Sequence, residues 1–517
     1  MAGLAGTPPG RQRSAIDDAS VITAAAYAAQ VLTFFAGLIQ KGLLGPVGTG
    51  YWALMQSFWQ ISKVVSAGAF DGTGRQIPLY RGRRDYAGAA AVSDTGFSFS
   101  LVAMAVLGLV VTSFALAFGS DWAPEIRLGL VLLGVTGPLR WLGDAHEVLL
   151  HATRRFRPAS VATVLQAVVA LTAQTALVVA FGFYGMFAGV VLATLVSLAY
   201  YARIGVTSLR RPAFRFRVER SRLGELVAFG LPIMVFGQLW LLFMGIDVLI
   251  IAGFIDVESL GYYALAVSVT SYVMHLPRSV GQALFPRMAE LFGATGDVSS
   301  LSRYVGEAQR LLAYMLVPVF VAGAYFAIPV LIRHALPEFE PAIDVVHIMV
   351  AGSFIMALCS LPIKAMLTAG RRRALIVLVA LCLGVNASAN YVAVAVLEKG
   401  IEGAAVATVA SYLFAFLVTS GYGLTMMIGA RRALAHIGEL LLAFAYVCGA
   451  LWAIETLVGD GAGPLVGDAA TAAAKLALFL VALTPWLIVA QVQLGGLSRV
   501  AAALRSVLGA LARRRGR

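Results

Sequence analysis

Charge is scarce in this chain of 517 residues. Asp, Glu, Lys and Arg make up 13% of it, about half of the ~25% usual in a soluble domain. That scarcity excludes water as the main solvent. Cysteine is nearly absent too: Cys359, Cys382 and Cys448 all fall inside apolar runs. They read as buried thiols, and neither a disulfide framework nor a thiolate metal cluster is available. The pattern GxxxxGK[ST] is missing, so the chain has no P-loop of its own. A GxSxG elbow and a Cys/His metal pattern are missing as well, and the gaps between apolar runs are too short for a soluble catalytic domain. No enzyme, cofactor or metal is expected. The first eighteen residues lack the apolar core of a cleavable signal peptide, so the first apolar helix is expected to act as its own insertion signal.

What is present is hydrocarbon: 60% of residues are hydrophobic, and the mean hydropathy is +0.85. A helix needs ~20 apolar residues to cross a bilayer. About fourteen such runs occur, at roughly 20–42, 50–70, 93–118, 127–150, 159–181, 185–206, 224–254, 258–279, 308–332, 344–368, 374–396, 402–427, 437–458 and 470–492. The expected fold is all-α and polytopic.

Basic residues alternate with these spans. The amino terminus has Arg11 and Arg13. Even-numbered gaps hold Arg75, Arg81, Arg83 and Arg84; Arg154, Arg155 and Arg157; Arg210, Arg211, Arg215, Arg217, Arg220 and Arg222; Arg287 and Arg303; Arg371, Arg372 and Arg373; Arg431 and Arg432. The tail ends in Arg513, Arg514, Arg515 and Arg517. Odd-numbered gaps carry single basic residues beside acids such as Asp121, Asp256 and Glu338. Arg and Lys favour the cytoplasmic side, so both termini are placed in the cytoplasm of a plasma membrane. The net charge of +13 sits in short gaps rather than in one basic stripe. This argues for anionic lipid as a partner and against nucleic acid.

The chain also repeats itself. Gly50-Tyr51-Trp52-Ala53-Leu54 corresponds to Gly261-Tyr262-Tyr263-Ala264-Leu265. Gly189-Val190-Val191-Leu192-Ala193-Thr194, ahead of Ser197, corresponds to Gly403-Ala404-Ala405-Val406-Ala407-Thr408, ahead of Ser411. Both separations are about 210 residues, or six spans, and six-span repeats in one orientation are a transporter architecture. The expected organisation is an N-terminal lobe at 1–206, a basic cytoplasmic linker at 207–222, a C-terminal lobe at 223–430, and an appended helix pair with a basic tail at 431–517.

Polar side chains inside spans are costly, which makes them functional candidates. Thr23, Tyr27, Gln30 and Gly37 form a stripe in the first span, completed by Lys41; the second has Gln56, Gln60 and Lys63. The seventh carries Gln238 and Asp247, and the eighth Ser268, Ser271, His275 and Arg278. Arg140, Asp144, His146 and Glu147 lie in the fourth span and Lys364 in the tenth. Lys63, Arg278, Gln56, Gln60, Gln30, His275 and Lys364 are the candidate cargo-binding residues, and their cations suit an anionic cargo. Asp247, Asp144 and Glu147 are candidates for coupling to H+ or Na+. Plainer readings compete: Gln and Ser stripes make interhelical seams, Lys364, Arg140 and Arg278 snorkel to head groups, and Asp144 pairs with Arg140 at i, i+4.

Several motifs resemble those of the polysaccharide-export flippases. They are Gly45-Pro46-x-Gly48-x-Gly50-Tyr51 after the first span, and Asn386 and Asn390 followed by Lys399-Gly400-Ile401-Glu402-Gly403-Ala404-Ala405-Val406-Ala407-Thr408. The arginines at 154–157 and 371–373, ahead of the fifth and eleventh spans, are similar as well. Asp71-Gly72-Thr73-Gly74-Arg75 departs from the apolar, Gly-rich stretch common in such proteins. The resemblance implies the multidrug/oligosaccharidyl-lipid/polysaccharide exporter fold, with two six-helix lobes around a cavity that opens alternately to either side. It implies a cargo of lipid-linked oligosaccharide whose pyrophosphate meets cavity cations, Lys63 and Arg278 by position. Polysaccharide polymerases and glycosyltransferases are implied as partners.

Four rival readings stay open. A drug or cation antiporter is expected if Asp247 and Glu147 dominate over Lys63. A lipid II flippase would use the last two helices for a lipid tail. An integral-membrane glycosyltransferase needs a larger outer loop than 333–343 provides. A non-transporting partner of a synthase complex is the fourth.

Overall fold

The computed structural model describes residues 9–153, 155–205, 214–459 and 463–494, with side chains from 25 onward except those of 276, 493 and 494. The side chains of Arg11, Arg13 and Thr23 lie outside what is described, as do Arg154, Arg210, Arg211 and the arginines of the tail. Among the described residues the chain is helical throughout and contains no strand. It forms two compact units, Met1–Leu242 and Phe243–Arg517.

The first unit runs through α1 (Pro9–Ser62), α2 (Ala69–Gly82), α3 (Tyr86–Phe118), α4 (Pro124–Ala152), α5 (Phe156–Val169), α6 (Thr175–Phe181) and α7 (Phe183–Arg203) into α8 (Arg220–Phe243). The second holds α9 (Ile246–Phe254), α10 (Val257–Val273), α11 (His275–Thr295), α12 (Ser302–Leu311), α13 (Val317–Ala335) and α14 (Ile343–Leu358). It continues through α15 (Ser360–Thr368), α16 (Arg372–Tyr391), α17 (Gly400–Ile428), α18 (Ala430–Val458), α19 (Leu465–Ala482) and α20 (Thr484–Leu494). Single π turns join α5 to α6, α12 to α13, and follow α16.

Among the described residues, twelve helices are long and apolar enough to cross a membrane, where the sequence predicts about fourteen spans. The difference has two sources. The first two predicted spans run on as α1, broken only at Gly45 (φ 64, ψ −178) ahead of Pro46. Glycine tolerates that dihedral and proline cannot donate back into the preceding turn, so the helix kinks instead of ending in a loop. The eighth predicted span, 258–279, stops at Val273, and α10 has 17 residues. The predicted seventh span, 224–254, is interrupted too: α8 ends at Phe243 and α9 restarts at Ile246. Two basic gaps are themselves helical, as α2 and α11. The chain is a multi-pass membrane protein.

Packing inside the first unit relies on small residues. A Cβ placed on Gly108 of α3 would come within 2.3 Å of the Gly134 carbonyl oxygen of α4, and one on Gly134 within 2.4 Å of the Gly108 oxygen. Lipid offers helices no hydrophobic gain on association, so this close backbone approach supplies dispersion contact instead. The described part of the basic linker packs against the start of α3. Arg215 N donates to Asp94 Oδ1 (2.7 Å), Ser98 Oγ to the Arg215 carbonyl (3.2 Å), and Glu219 N to Thr95 Oγ1 (3.3 Å). Phe214 sets its ring 5.5 Å from that of Phe97.

Ties of this kind test the alternation of gaps. The linker and the start of α3 both belong to even-numbered gaps. In the second unit Arg310 of α12 grips Glu439 of α18 through Nε (3.0 Å) and Nη2 (2.9 Å), joining the starts of the ninth and thirteenth predicted spans, each just after an even gap. His334 at the end of α13 meets Asp468 of α19 at 2.9 Å, joining two odd ones. These ties hold together span ends that adjoin gaps of equal parity.

Candidate functional site

Among the described residues, one polar cluster of each unit gathers candidates named from the sequence. In the first, the stripe predicted on α1 is split. Gln56 is half-buried and faces α4, where Arg140 Nη1 lies 3.5 Å from its Oε1. The Arg140 guanidinium sits 4.5 Å above the ring centroid of Trp59, one turn along α1. A weakly hydrated planar cation is well suited to that stacking. Gln60 points outward and is exposed. Lys63 is half-buried and opens the 3-10 turn that ends α1. A cavity of about 20 Å³ adjoins Arg140 and Gln56, with Met55, Trp59 and Phe187 in its walls. That is room for little more than one water.

Acids surround these cations. Asp144, one turn beyond Arg140, interacts electrostatically with both Lys63 and Arg140. Glu147 interacts with His151, Asp144 and Lys63. Asp71 of α2 feels Lys63 and Arg75, yet burial still raises its carboxyl above the usual range. The cluster is a mixed-charge one in which Lys63 faces three carboxylates. His146 is buried, bonded through Nδ1 to the Leu142 carbonyl (2.8 Å) and stacked on Tyr201, as a packing role requires.

The second unit builds its cluster around the broken helix. Ending α8 at Phe243 frees carbonyls that a continuous helix would have used, and hydrocarbon cannot satisfy them. Asn386 Nδ2 of α16 takes the Phe243 carbonyl at 2.7 Å. Asp247, in the first turn of α9, is 1% exposed. Its Oδ2 accepts from the Tyr263 hydroxyl of α10 (2.5 Å) and from Thr408 Oγ1 of α17 (3.2 Å), and its Oδ1 from Val248 N (3.0 Å). Asn390 Nδ2 reaches Thr408 Oγ1 (3.2 Å) and Asn386 Oδ1 (2.6 Å). Asn390 Oδ1 is buried with no hydrogen-bond partner. Four helices thus converge on a buried, oxygen-rich centre with one carboxylate and one unsatisfied carbonyl oxygen. Hard monovalent or divalent cations favour such donors.

Residues 85–336 match the family described as "Polysaccharide biosynthesis protein". A search of curated proteins gives no match. Among solved structures, the inward-facing conformation of a multidrug resistance MATE family transporter of the MOP superfamily aligns with TM-score 0.64 at 16% identity. That alignment covers 80% of this chain and 95% of that one. The lipid II flippase MurJ, in an inward closed conformation, aligns with TM-score 0.64 at 14% identity, covering 89% and 97%. A eukaryotic MATE transporter gives 0.55 at 16%, covering 82% and 97%. This chain shares its fold with these transporters. The proteins it matches are transporters and flippases, not enzymes.

On the exporter fold the remaining candidates are scattered. Gln30 is half-buried on α1. His275 and Arg278 follow the break at Met274, which separates them from Ser268 and Ser271 on α10. Arg278 is exposed and interacts electrostatically with Tyr412, as Asp247 does. Lys364 of α15 places its ammonium 5.6 Å over the Phe285 ring. Tyr263, Thr408, Asn386 and Asn390 were legible only as repeat or family motifs. Asn-x-x-x-Asn, one helical turn apart in an apolar span, was the signal for a buried polar seam.

Proposed function

We propose that this protein flips a lipid-linked oligosaccharide, an undecaprenyl-pyrophosphate-linked repeat unit, across a bacterial plasma membrane by alternating access. The observation that carries this reading is the match of residues 85–336 to the polysaccharide biosynthesis family on a fold shared with flippases. Lys63 and Arg140 of the first unit are the cations offered to the pyrophosphate, with Arg278 and Lys364 as further candidates. Cargo entry would displace Asp144 from these cations, because a dianionic pyrophosphate outbids a single carboxylate for an Arg fork.

Asp247 and its partners supply the site for a coupling cation, H+ or Na+. The orphaned Asn390 Oδ1 fits that role, since a buried acceptor without a donor is costly unless a cation or water completes it. The repeats at 1–206 and 223–430 are the units of the transport cycle, and both termini lie in the cytoplasm. Enzymes that build and polymerise the glycan are the expected neighbours. The test is export of the glycan in cells carrying Lys63→Ala with Arg140→Ala at normal protein level: export should collapse, and unchanged export rejects the reading.

The balance of acids and bases around Lys63 favours one second reading, a cation antiporter. It predicts drug accumulation in a deletion strain with glycan export intact.

A further inference from the structure

One sizeable cavity of the second unit lies at neither polar cluster. It is a groove of about 750 Å³ along α16, the π turn after it and the start of α17, within the ~300–1,000 Å³ of ordinary ligand sites. Its walls are apolar, formed by Ile348, Ala389, Ala393, Leu397 and Val406 among others. The rim is exposed as well as apolar: Val392, Leu397 and Val406 all have large accessible surface. On a membrane-spanning segment such side chains face acyl chains, so the groove is open to the bilayer rather than to water.

The local fold explains both the width and the mouth. In the π turn Val392–Val396, Leu397 N reaches back five residues to the Val392 carbonyl (2.8 Å). A π turn adds a residue to the helix circumference and recurs at functional positions. Glu398 then takes φ 51, a left-handed value unusual for a residue with a Cβ. Lys399 N bonds the Ala393 carbonyl (3.0 Å), which turns the chain over the end of the groove. Lys399 and Glu402 both line the cavity. No ion pair joins them among the described residues, so one free cation and one free anion stand at the end of an apolar slot.

We propose that this groove is a binding site for a phospholipid with a zwitterionic, amine-bearing head group. One acyl chain fills the slot, the phosphate meets Lys399 and the ammonium meets Glu402. The opposite charges decide the occupant. A purely anionic lipid, or the pyrophosphate of a polyprenyl-linked cargo, would gain Lys399 and suffer repulsion from Glu402. Charged residues at the end of a span also sit at head-group level. Ala389 and Ala407 line the slot beside Asn390 and Thr408, so the lipid wedges the helix pair that carries half of the Asp247 network. The site itself does not depend on what cargo the protein moves.

The test is photolabelling of the full-length protein in liposomes. The vesicles contain either phosphatidylethanolamine or phosphatidylglycerol with a diazirine in one acyl chain, and labelled peptides are mapped afterwards. The ethanolamine probe should label 388–407 about tenfold more than the glycerol probe, a ratio worth ~1.4 kcal/mol. Ala393→Trp, which fills the slot, should abolish labelling. Val406→Trp, at an already exposed position, serves as the second filling variant if the first fails to fold. Lys399→Ala with Glu402→Ala should erase the preference between probes while leaving some labelling. Equal labelling by both probes in the unmodified protein overturns the proposal, as does labelling that survives both filling variants. Competition by undecaprenyl pyrophosphate but not by unlabelled phosphatidylethanolamine overturns it too, and makes the groove a track for the cargo tail.

Discussion

The Tyr263 hydroxyl donates to Asp247 Oδ2 across 2.5 Å, joining the first turn of α9 to the middle of α10. Both residues are fully buried, and the bond exists because α8 and α9 are not one helix. A straight span 224–254 would have satisfied its own backbone and left Asp247 as a lone charge in hydrocarbon. Breaking at Gly245 frees the Phe243 carbonyl and draws in Asn386. Asn386 in turn bonds Asn390, and Thr408 closes the circuit to Asp247. Interrupted helices that line polar sites are the general membrane solution to ion binding.

Asp247→Asn removes the charge while keeping an acceptor for Tyr263. It should leave the protein folded and lower ion-driven export about tenfold, a loss of ~1.4 kcal/mol of coupling. Transport measured against imposed Na+ and pH gradients decides it: full dependence on either gradient in the variant removes Asp247 from coupling. Tyr263→Phe leaves the carboxylate short of a donor and should cost about 1–3 kcal/mol of stability, read as a lowered melting temperature in detergent.

Much of the fold was legible because hydrophobicity and charge act locally. Span positions and the parity of arginine-bearing gaps follow from residues next to one another. The break at Gly245 was not legible, since no proline lies near it and most flanking residues are as apolar as any span; the break at Met274 carried a signal in Pro277, which has no N–H to bond back to Val273, and the apolar run hid it. Asp247 announced itself as an acid in hydrocarbon. Tyr263 and Thr408 did not, because a Tyr and a Thr are common in such helices and their partner is far away in sequence. Arg140 could be seen, but its stacking on Trp59 and approach to Gln56 join residues about eighty positions apart, a non-local pairing that no spacing rule contains.

Arg140→Lys should be nearly as harmful to export as Arg140→Gln. Lysine keeps the charge but loses the planar fork that stacks on Trp59 and grips a phosphate with two parallel bonds. Rates of glycan export at matched protein level make the comparison, and full rescue by lysine would mean that only the charge matters there.

Gly134→Leu should destabilise the first unit by about 1–3 kcal/mol, the usual cost of overpacking, because its side chain would be driven into the Gly108 carbonyl of α3. The expected readout is a lower melting temperature. Gly224→Leu, where a Cβ meets nothing within 4 Å, is the matched control and should leave stability unchanged.

Asp71→Asn should raise the melting temperature at neutral pH. Burial lifts the folded-state carboxyl of Asp71 above its usual value, so the ionised form is the disfavoured one in the native protein. The stability tied to this group is complete below the unfolded value, ~3.9, and is lost as pH rises through the folded one. The gain from asparagine should therefore grow with pH and vanish in acid. A gain that is flat with pH would assign it to packing instead.

Topology can be read at four positions chosen by parity. Arg217 and Arg303 lie in even gaps and are exposed; Asp121 and Glu338 lie in odd gaps and are also exposed. Within the second unit the Arg310–Glu439 and His334–Asp468 ties hold span ends of like parity together, which is what the alternation requires. Arginine density predicts that the even gaps face the cytoplasm, where anionic lipid and the membrane potential retain positive charge. Single cysteines at 121 and 338 should react with an impermeant maleimide in intact cells, and those at 217 and 303 only after permeabilisation. Reaction of all four in the opposite sense would invert the protein. A split within one parity class would break the alternation itself, and with it the span assignment on which both candidate sites are placed.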